Sequence, residues 1–113
     1  MILDPPVVLG WARSAVVPFS GAFAHLAVHE IGAPVVRALL ARSSVPASAV
    51  DSLFCGNSLG AGGNPARMIA LAAGLPDRTS AYSIVTQCCS GLDALAMGAS
   101  LITTGQAQFV VAG

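Results

Sequence analysis

The sequence predicts an α/β fold, with a largely parallel β-sheet and helices on both faces, in one domain spanning residues 1–113. Short continuous apolar runs, typical of strands buried on both faces, alternate with segments of helical spacing. This alternation is the order that a parallel sheet with crossover helices requires. Hydrophobic residues make up 55% of the chain and charged residues 9%, against about 25% charged in an ordinary chain. We therefore expect more protein to cover part of its surface, and predict a domain that is incomplete on its own.

Membrane insertion and secretion are not predicted. A membrane-spanning helix needs about 18 or more consecutive apolar residues. Residues 15–36 come closest, but His25, His29, Glu30 and Pro34 interrupt them. The first six residues lack the basic start and apolar core of a signal peptide, so we expect a cytoplasmic protein.

The charges and cysteines narrow the class of function further. The formal net charge is zero and the five basic residues are scattered, which does not favour binding to nucleic acid. Three cysteines are an odd number, and no Cys-x-x-Cys or His-x-x-x-His spacing suggests a metal site. We expect Cys55, Cys88 and Cys89 to be reduced thiols.

The first half of the chain contains two predicted strands and one helix. Residues 7–12 form a continuous apolar run that predicts a central strand, and residues 13–23 look like a loop. A helical pattern follows; Pro34 fits it only if the regular helix begins near His29 or later, so that Pro34 falls near the first turn. Residues 51–54 predict the second strand, ending at Cys55 and Gly56.

The middle of the chain predicts a turn and a short helix. Residues 57–63 are rich in glycine but match neither a phosphate loop nor a dinucleotide fingerprint, so a flexible turn is favoured. Asn64 as N-cap and Pro65 at the first position begin a helix over residues 66–73, which Gly74 ends. Arg67 stands at the unfavourable end of the helix dipole, which predicts a tertiary partner for it.

The last part of the chain predicts strand, tight turn, helix and strand. Residues 81–85 form the strand, and residues 90–104 form a helix that Gly105 ends. Residues 108–113 begin another buried strand. The helix is apolar nearly all round, which indicates an enclosed helix. One of its sides carries Leu92, Leu95, Ala96, Ala99 and Ile102.

Cys88 is the candidate nucleophile because it lies on the turn just before this helix. Free N–H groups and the positive end of the helix dipole stabilise a thiolate there. The alternative is structural, since buried cysteines commonly act as small inert hydrophobes. The spacing alone leaves both interpretations of the Cys88-Cys89 pair open.

The order of short motifs resembles the N-terminal part of the thiolase family, the acetyl-CoA acetyltransferases and 3-ketoacyl-CoA thiolases. Asn64-Pro65-Ala66-Arg67 followed by Cys88-Cys89-Ser90-Gly91-Leu92 is the most specific part of the resemblance. Further matching segments run in the family's order through nearly the whole chain: Ala12-Arg13-Ser14, Val50-Asp51, Gly56-Asn57, Ala73-Gly74-Leu75-Pro76 and Val110-Val111-Ala112-Gly113.

The resemblance implies that Cys88 accepts an acyl group from a coenzyme A thioester, and that the enolate of a second acyl-CoA attacks the acyl-enzyme. Degradation runs the same steps in reverse. In such catalysis an activated thiolate forms a thioester intermediate, which divides one difficult step into two easier ones. The resemblance thus implies an enzyme of lipid metabolism. The backbone N–H of Cys88 could stabilise the oxyanion of the tetrahedral intermediate. Coenzyme A thioesters are substrates in this interpretation, with no covalently bound cofactor.

The sequence departs from the family's pattern in three ways. It does not contain the loop domain or the C-terminal half, which carries the base and the proton donor in the family, and His25 and His29 lie in the wrong region to replace them. Asp93 stands where the family often has Lys, Arg or Gln, and a carboxylate so near Cys88 is expected to disfavour the thiolate. Pro34 interrupts a helix that is usually free of proline.

Three functions therefore stay under consideration. The first is a thiolase-type acyltransferase that is active only with a second chain carrying the missing half. The second is an inactive thiolase fragment serving as a structural or binding subunit, and the third is a β-ketoacyl synthase-like condensing subunit. The resemblance also implies a homo- or hetero-oligomer formed by pairing residues 81–85 across a two-fold axis.

Overall fold

A three-stranded parallel sheet forms the centre of the protein in the computed structural model, which describes residues 5–113. Its strands are β1 (Ser52–Gly56), β2 (Ser80–Ile84) and β3 (Val110–Ala112), in the order β2-β1-β3. Leu53 of β1 lies beside Ala81 of β2 and Val111 of β3. The predicted parallel sheet is confirmed, and each predicted strand after residue 50 lies within two residues of its expected bounds.

Three helices cover the two faces of this sheet. They are α1 (Val28–Ser43), α2 (Pro65–Ala72) and α3 (Ser90–Thr103), with single 3₁₀ turns at Ala47–Ala49 and Gln87–Cys89. On one face, Leu53 belongs to an apolar cluster with side chains of α1 and α2. On the other, Phe54 stacks on Tyr82, with ring centroids 4.6 Å apart, and packs under α3. The prediction of helices on both faces is confirmed.

The expected first strand at residues 7–12 is wrong. These residues form no strand in the described structure, and Trp11 is 75% exposed. Residues 6–10 line a cleft of about 350 Å³ together with residues of β3, α3 and the end of α1. A strand requires backbone hydrogen bonds to a neighbouring strand. Residues 7–12 pair with no strand within residues 5–113.

Helix α1 begins close to its predicted start, but Pro34 lies deeper in it than expected. The first helical residue is Val28, and the backbone N–H of Ala27 donates to the Glu30 carboxylate at 2.7 Å. Pro34 is therefore in the second turn rather than the first. Since proline has no N–H, the Glu30 carbonyl loses its helical donor, and the exposed position of Pro34 lets the helix continue to Ser43.

Helix α2 and the tertiary partner of Arg67 are as predicted. Asn64 caps the helix, Pro65 is its first residue, and Gly74 follows it with a φ of +81°. The Arg67 guanidinium donates to the carbonyls of Thr79 at 3.0 Å and Asp77 at 3.2 Å. These bonds fasten the start of α2 to the segment that leads into β2.

Helix α3 has the predicted extent, but a different side of it is buried. Its buried residues are Ser90, Ala94 and Gly98, whereas Leu92 is 70% exposed and Leu95 is 51% exposed. A Cβ atom at Gly98 would lie 2.8 Å from a methyl group of Val110. The helix therefore lies so close to the sheet that only its small side chains fit between them, and the expectation of an enclosed helix is wrong for the described chain.

None of the helices formed by residues 5–113 combines the length and the apolar character needed to cross a membrane.

Candidate active site

The turn that carries Cys88 lies at the carboxyl end of the sheet. Strands β1 and β2 end at Gly56 and Ile84, and the N–H of Asn57 donates to the Ile84 carbonyl at 2.9 Å. The N–H of Gly56 donates to the Gly113 carbonyl at 2.7 Å, so the chain after β3 reaches the same edge. In open α/β sheets, ligands bind beyond the carboxyl ends of the strands, and Cys88 follows β2 by four residues.

A single 3₁₀ turn, Gln87–Cys89, joins β2 to α3 and presents Cys88. Its first residue, Gln87, has a φ of +57°, the left-handed region that side chains other than glycine seldom adopt. Two backbone-directed bonds of the Ser90 hydroxyl close the turn: it accepts from the N–H of Thr86 at 2.9 Å and donates to the carbonyl of Gln87 at 2.6 Å. The sequence predicted this turn, but not the left-handed residue at Gln87.

The start of α3 also rests directly on the end of β1. A Cβ atom at Gly56 would lie 2.7 Å from the backbone nitrogen of Gly91 and 2.8 Å from the carbonyl carbon of Ser90. Since backbone atoms cannot move aside as a flexible side chain can, only glycine fits this approach. Gly56 therefore fixes the height of the helix N-terminus over the sheet.

The three thiols differ in access. All three are unpaired; Cys88 and Cys89 are exposed, and Cys55 is partly buried. Burial raises the pKa of the Cys55 thiol, which donates to the Gly56 carbonyl at 3.4 Å. Cys88 and Cys89 are therefore the thiols that a molecule in solution can reach. Of these two, Cys88 lies in the middle of the turn.

Of the ionisable residues that the sequence analysis considered, Asp93 lies beside the candidate site, whereas His25 and His29 do not. Asp93 is half-buried in the first turn of α3, the same helix N-terminus that Cys88 precedes. His29 lies in the first turn of α1, which packs on the opposite face of the sheet from α3, and His25 precedes α1. Within residues 5–113, no three or more His, Cys, Asp or Glu side chains are grouped as a metal site would require.

A polar contact that sequence reasoning missed ties α2 to β2 just before the candidate site. The Asn64 Oδ1 accepts from the Ser83 hydroxyl at 2.7 Å, and its Nδ2 donates to the Ala81 carbonyl at 3.1 Å. The Ser83 hydroxyl also accepts from the N–H of Ala66 at 3.0 Å. Asn64 was identifiable as a helix cap, but the role of Ser83 depends on the position of β2 beside α2, and the sequence carries no local signal for it.

Comparison with known proteins identifies the family. The family described as "Thiolase, N-terminal domain" matches residues 6–113. The chain belongs to the thiolase family. Its resemblance to the N-terminal part of thiolases, predicted from the motifs around Asn64 and Cys88, is thereby confirmed.

Named thiolases are similar to the chain in both sequence and structure. An acetyl-CoA acetyltransferase of Shinella zoogloeoides is 44% identical over 111 residues, which cover 96% of this chain. The cytosolic acetyl-CoA acetyltransferase of Mus musculus is 38% identical over 112 residues, covering 97% of this chain. Both alignments cover 28% of the relative, so the chain spans well under a third of the length of these thiolases.

Solved thiolases have the same fold. The crystal structure of the Bacillus anthracis acetyl-CoA acetyltransferase superposes with a TM-score of 0.94 at 33% identity, covering 99% of this chain and 29% of its own. The Acat5 thiolase of Ascaris suum, solved in complex with coenzyme A, superposes with a TM-score of 0.88 at 32% identity, covering 92% and 28%. This chain therefore has the fold of the corresponding part of these thiolases.

Proposed function

We propose that this chain carries the nucleophile of a thiolase-type acyltransferase and that Cys88 is that nucleophile. The observation that supports this most is the placement of Cys88: an exposed thiol on a tight turn, before a helix N-terminus, at the carboxyl edge of the sheet in a thiolase chain. Backbone N–H groups at such a position stabilise both a thiolate and the oxyanion of an acyl-transfer intermediate.

In the proposed reaction, the Cys88 thiolate attacks the carbonyl carbon of an acyl-CoA thioester. The bond from that carbon to the coenzyme A sulfur breaks, coenzyme A leaves as its thiol after taking up a proton, and the acyl group stays on Cys88 as a thioester. The enolate of a second acyl-CoA then attacks the acyl carbon and releases the Cys88 thiolate; thiolytic cleavage is the reverse. Coenzyme A substrates are supported by the acetyl-CoA acetyltransferase relatives and the Ascaris suum complex.

We further propose that a second chain supplies the thiolase segments that residues 1–113 do not include, among them the base and the proton donor. Two surfaces support additional protein here. Helix α3 exposes Leu92 and Leu95 on one flank and Met97 on the other, and an apolar cleft that Leu95 also lines lies beside the edge of β3. Exposed apolar patches of this kind mark interaction sites. In the cytoplasm, where we place this protein, the chain is expected to act only as part of the assembly.

The edge strand β2 is the proposed contact in an oligomer. Backbone groups of Ser80 and Ile84 pair with the β1 side, so in a parallel ladder those of Ala81 and Ser83 point to the free edge. The Asn64 side chain already occupies the Ala81 carbonyl. Pairing of two β2 strands across a two-fold axis would satisfy the remaining groups.

A second candidate function is a catalytically inactive structural subunit, and Asp93 is the observation that favours it. Asp93 is half-buried in the first turn of α3, five residues after Cys88, where the family pattern often has a basic or neutral residue. The third possibility, a β-ketoacyl synthase-like subunit, loses support because the family and the named relatives are thiolases.

The test is acylation of the protein purified together with the product of its neighbouring reading frame. Acetyl-CoA is added, and the mass of each intact chain is measured. We expect an acetyl adduct on this chain that survives Cys89→Ser and disappears in Cys88→Ser. An adduct lost only in Cys89→Ser would show that Cys89, not Cys88, is the nucleophile. Absence of any adduct from a folded complex would favour the inactive subunit.

A further inference from the structure

Ser90 is the buried hydroxyl closest in sequence to the proposed nucleophile, and its role is not explained by helix formation. Its side chain is 3% exposed and lies at the first position of α3. A serine that caps a helix accepts a bond from an N–H of the helix that follows it. The Ser90 hydroxyl instead bonds backward, to the N–H of Thr86 and the carbonyl of Gln87.

Those two backbone groups lie at the two ends of the Thr86-Gln87 pair, and Gln87 is the residue of the turn with a positive φ. Gln87 has a φ of +57°, and a residue other than glycine held there costs of order 1–3 kcal/mol unless its surroundings enforce the conformation. The Ser90 hydroxyl bonds to the peptide group before Thr86 and to the one after Gln87, so it spans these two residues. Without it, the Thr86 N–H and the Gln87 carbonyl lose partners in a partly buried place, and Gln87 loses its restraint.

We propose that Ser90 is a positioning residue that holds Gln87 in the left-handed conformation and thereby aims the Cys88 thiol out of the turn. The Ser90 hydroxyl does not touch the substrate; it acts through the backbone of residues 86 and 87. This inference rests on the proposed role of Cys88 as nucleophile, because a positioned thiol matters only if it reacts.

Alkylation of Cys88 by iodoacetamide tests the proposal without requiring acyl transfer. All variants carry Cys89→Ser in the full chain, purified with any partner, and peptide mass spectrometry separates Cys88 labelling from that of the half-buried Cys55. We expect Ser90→Ala to slow Cys88 alkylation severalfold, because reaction with a small free reagent depends on the access to the thiol and on the backbone N–H groups that surround it. Ser100→Ala is the matched control, because Ser100 in the same helix also bonds a backbone carbonyl, of Ala96, but is exposed.

Rescue by glycine distinguishes positioning from a general loss of stability. Glycine adopts a positive φ without strain, so Gln87→Gly added to Ser90→Ala should restore most of the alkylation rate. Gln87→Val, which keeps Ser90 but places a β-branched side chain at positive φ, should slow alkylation as Ser90→Ala does. If Ser90→Ala does not fold, Gln87→Val is the variant that tests the proposal.

The outcomes separate this inference from the proposed function. An unchanged alkylation rate in folded Ser90→Ala, or a loss that Gln87→Gly does not restore, overturns the positioning role even where acetylation of Cys88 is observed. Slower alkylation with rescue supports the positioning role even where acetyl-CoA gives no adduct and the acyltransferase proposal fails.

Discussion

Individual polar side chains fix the ends of the sheet. At the carboxyl end, Ser90 and Asn64 bond to the backbone around β2. At the opposite end, Asp51 precedes β1 and accepts from the backbone N–H groups of Gln108 at 2.8 Å and Phe109 at 3.1 Å, and one of its oxygens lies 3.6 Å from the guanidinium of Arg78. Asn64 and Asp51 each join segments that are distant in the sequence, whereas Ser90 fixes the local turn between β2 and α3.

Asp51 should make the stability of the protein depend on pH in acid. The backbone N–H groups of Gln108 and Phe109, and then the Arg78 charge, hold the pKa of the Asp51 carboxyl below its usual range. A lowered folded-state pKa stabilises the fold at pH values above the unfolded pKa of about 3.9, and this contribution disappears as the pH falls further, through the folded pKa. Asp51→Asn should therefore cost about 1–2 kcal/mol at neutral pH, and the difference from the unchanged protein should shrink below about pH 4.

Urea unfolding across this pH range measures the effect. Asp77→Asn is the control, because Asp77 is an exposed carboxylate on the loop before β2. A constant difference between Asp51→Asn and the unchanged protein at every pH would show that the Asp51 charge is not what stabilises the β1–β3 contact.

Among the secondary-structure elements, α3 and β1 make the contact that sets the site. The small residues Ala94 and Gly98 let the helix lie low over β1 and β3, and Gly56 lets its first turn meet the end of β1. The height and direction of the helix N-terminus therefore follow from small residues rather than from large apolar ones. This arrangement leaves Leu92 and Leu95 of α3 exposed.

Gly56→Ala should both destabilise the fold and displace the Cys88 turn. The added methyl group would meet backbone atoms of Ser90 and Gly91 at under 3 Å, so α3 must shift. We expect a loss of about 1–3 kcal/mol in urea unfolding, as for other overpacked contacts, together with slower alkylation of Cys88. Gly62→Ala is the matched control, because a Cβ atom at Gly62 meets nothing within 4 Å. Equal stability of the two variants would contradict the close contact.

For the molecule as a whole, the apolar composition and the exposed surface have one explanation. The side chains left uncovered include Leu92, Leu95 and Met97 on α3 and Val7, Val8 and Trp11 beside the cleft. Leu95 lines the same cleft as Val7 and Val8, together with residues of β3 and the end of α1. Thiolase relatives are more than three times as long as this chain, since it covers 28% of them. We therefore attribute the excess of apolar residues to surfaces that the proposed assembly covers.

The polypeptide of 113 residues, purified by itself, should self-associate through these surfaces. Replacing Leu92 and Leu95 together by lysine should lower its average mass in solution, measured by analytical ultracentrifugation, and change the free energy of unfolding by no more than about 0.5 kcal/mol, because both side chains are exposed. Leu59→Lys is the control: Leu59 is 94% exposed and lies on the loop between β1 and α2, outside α3. If the unchanged chain sediments as a monomer throughout, the outer side of α3 is not an adhesive surface.

The elements after residue 50 and the location of the candidate nucleophile were predictable because their signals are local. Asn64 and Pro65 begin α2, Gly74 and Gly105 end helices with φ of +81° and +73°, and β-branched residues precede the Cys88 turn. Such signals depend on a few neighbouring residues. The family resemblance rested on the same segments, and the comparisons confirm it.

The sequence by itself thus determined the order of strands and helices after residue 50, the parallel sheet and the tight turn that carries Cys88. Only the tertiary structure decided that residues 7–12 pair with no strand of the described chain, and that α3 packs by Ala94 and Gly98 while Leu92 and Leu95 stay exposed. The physical reason is the same in each case. Whether an apolar run becomes a strand, and which side of an apolar helix is buried, depend on the distance to a neighbour that is remote in sequence, and no local pattern encodes that distance.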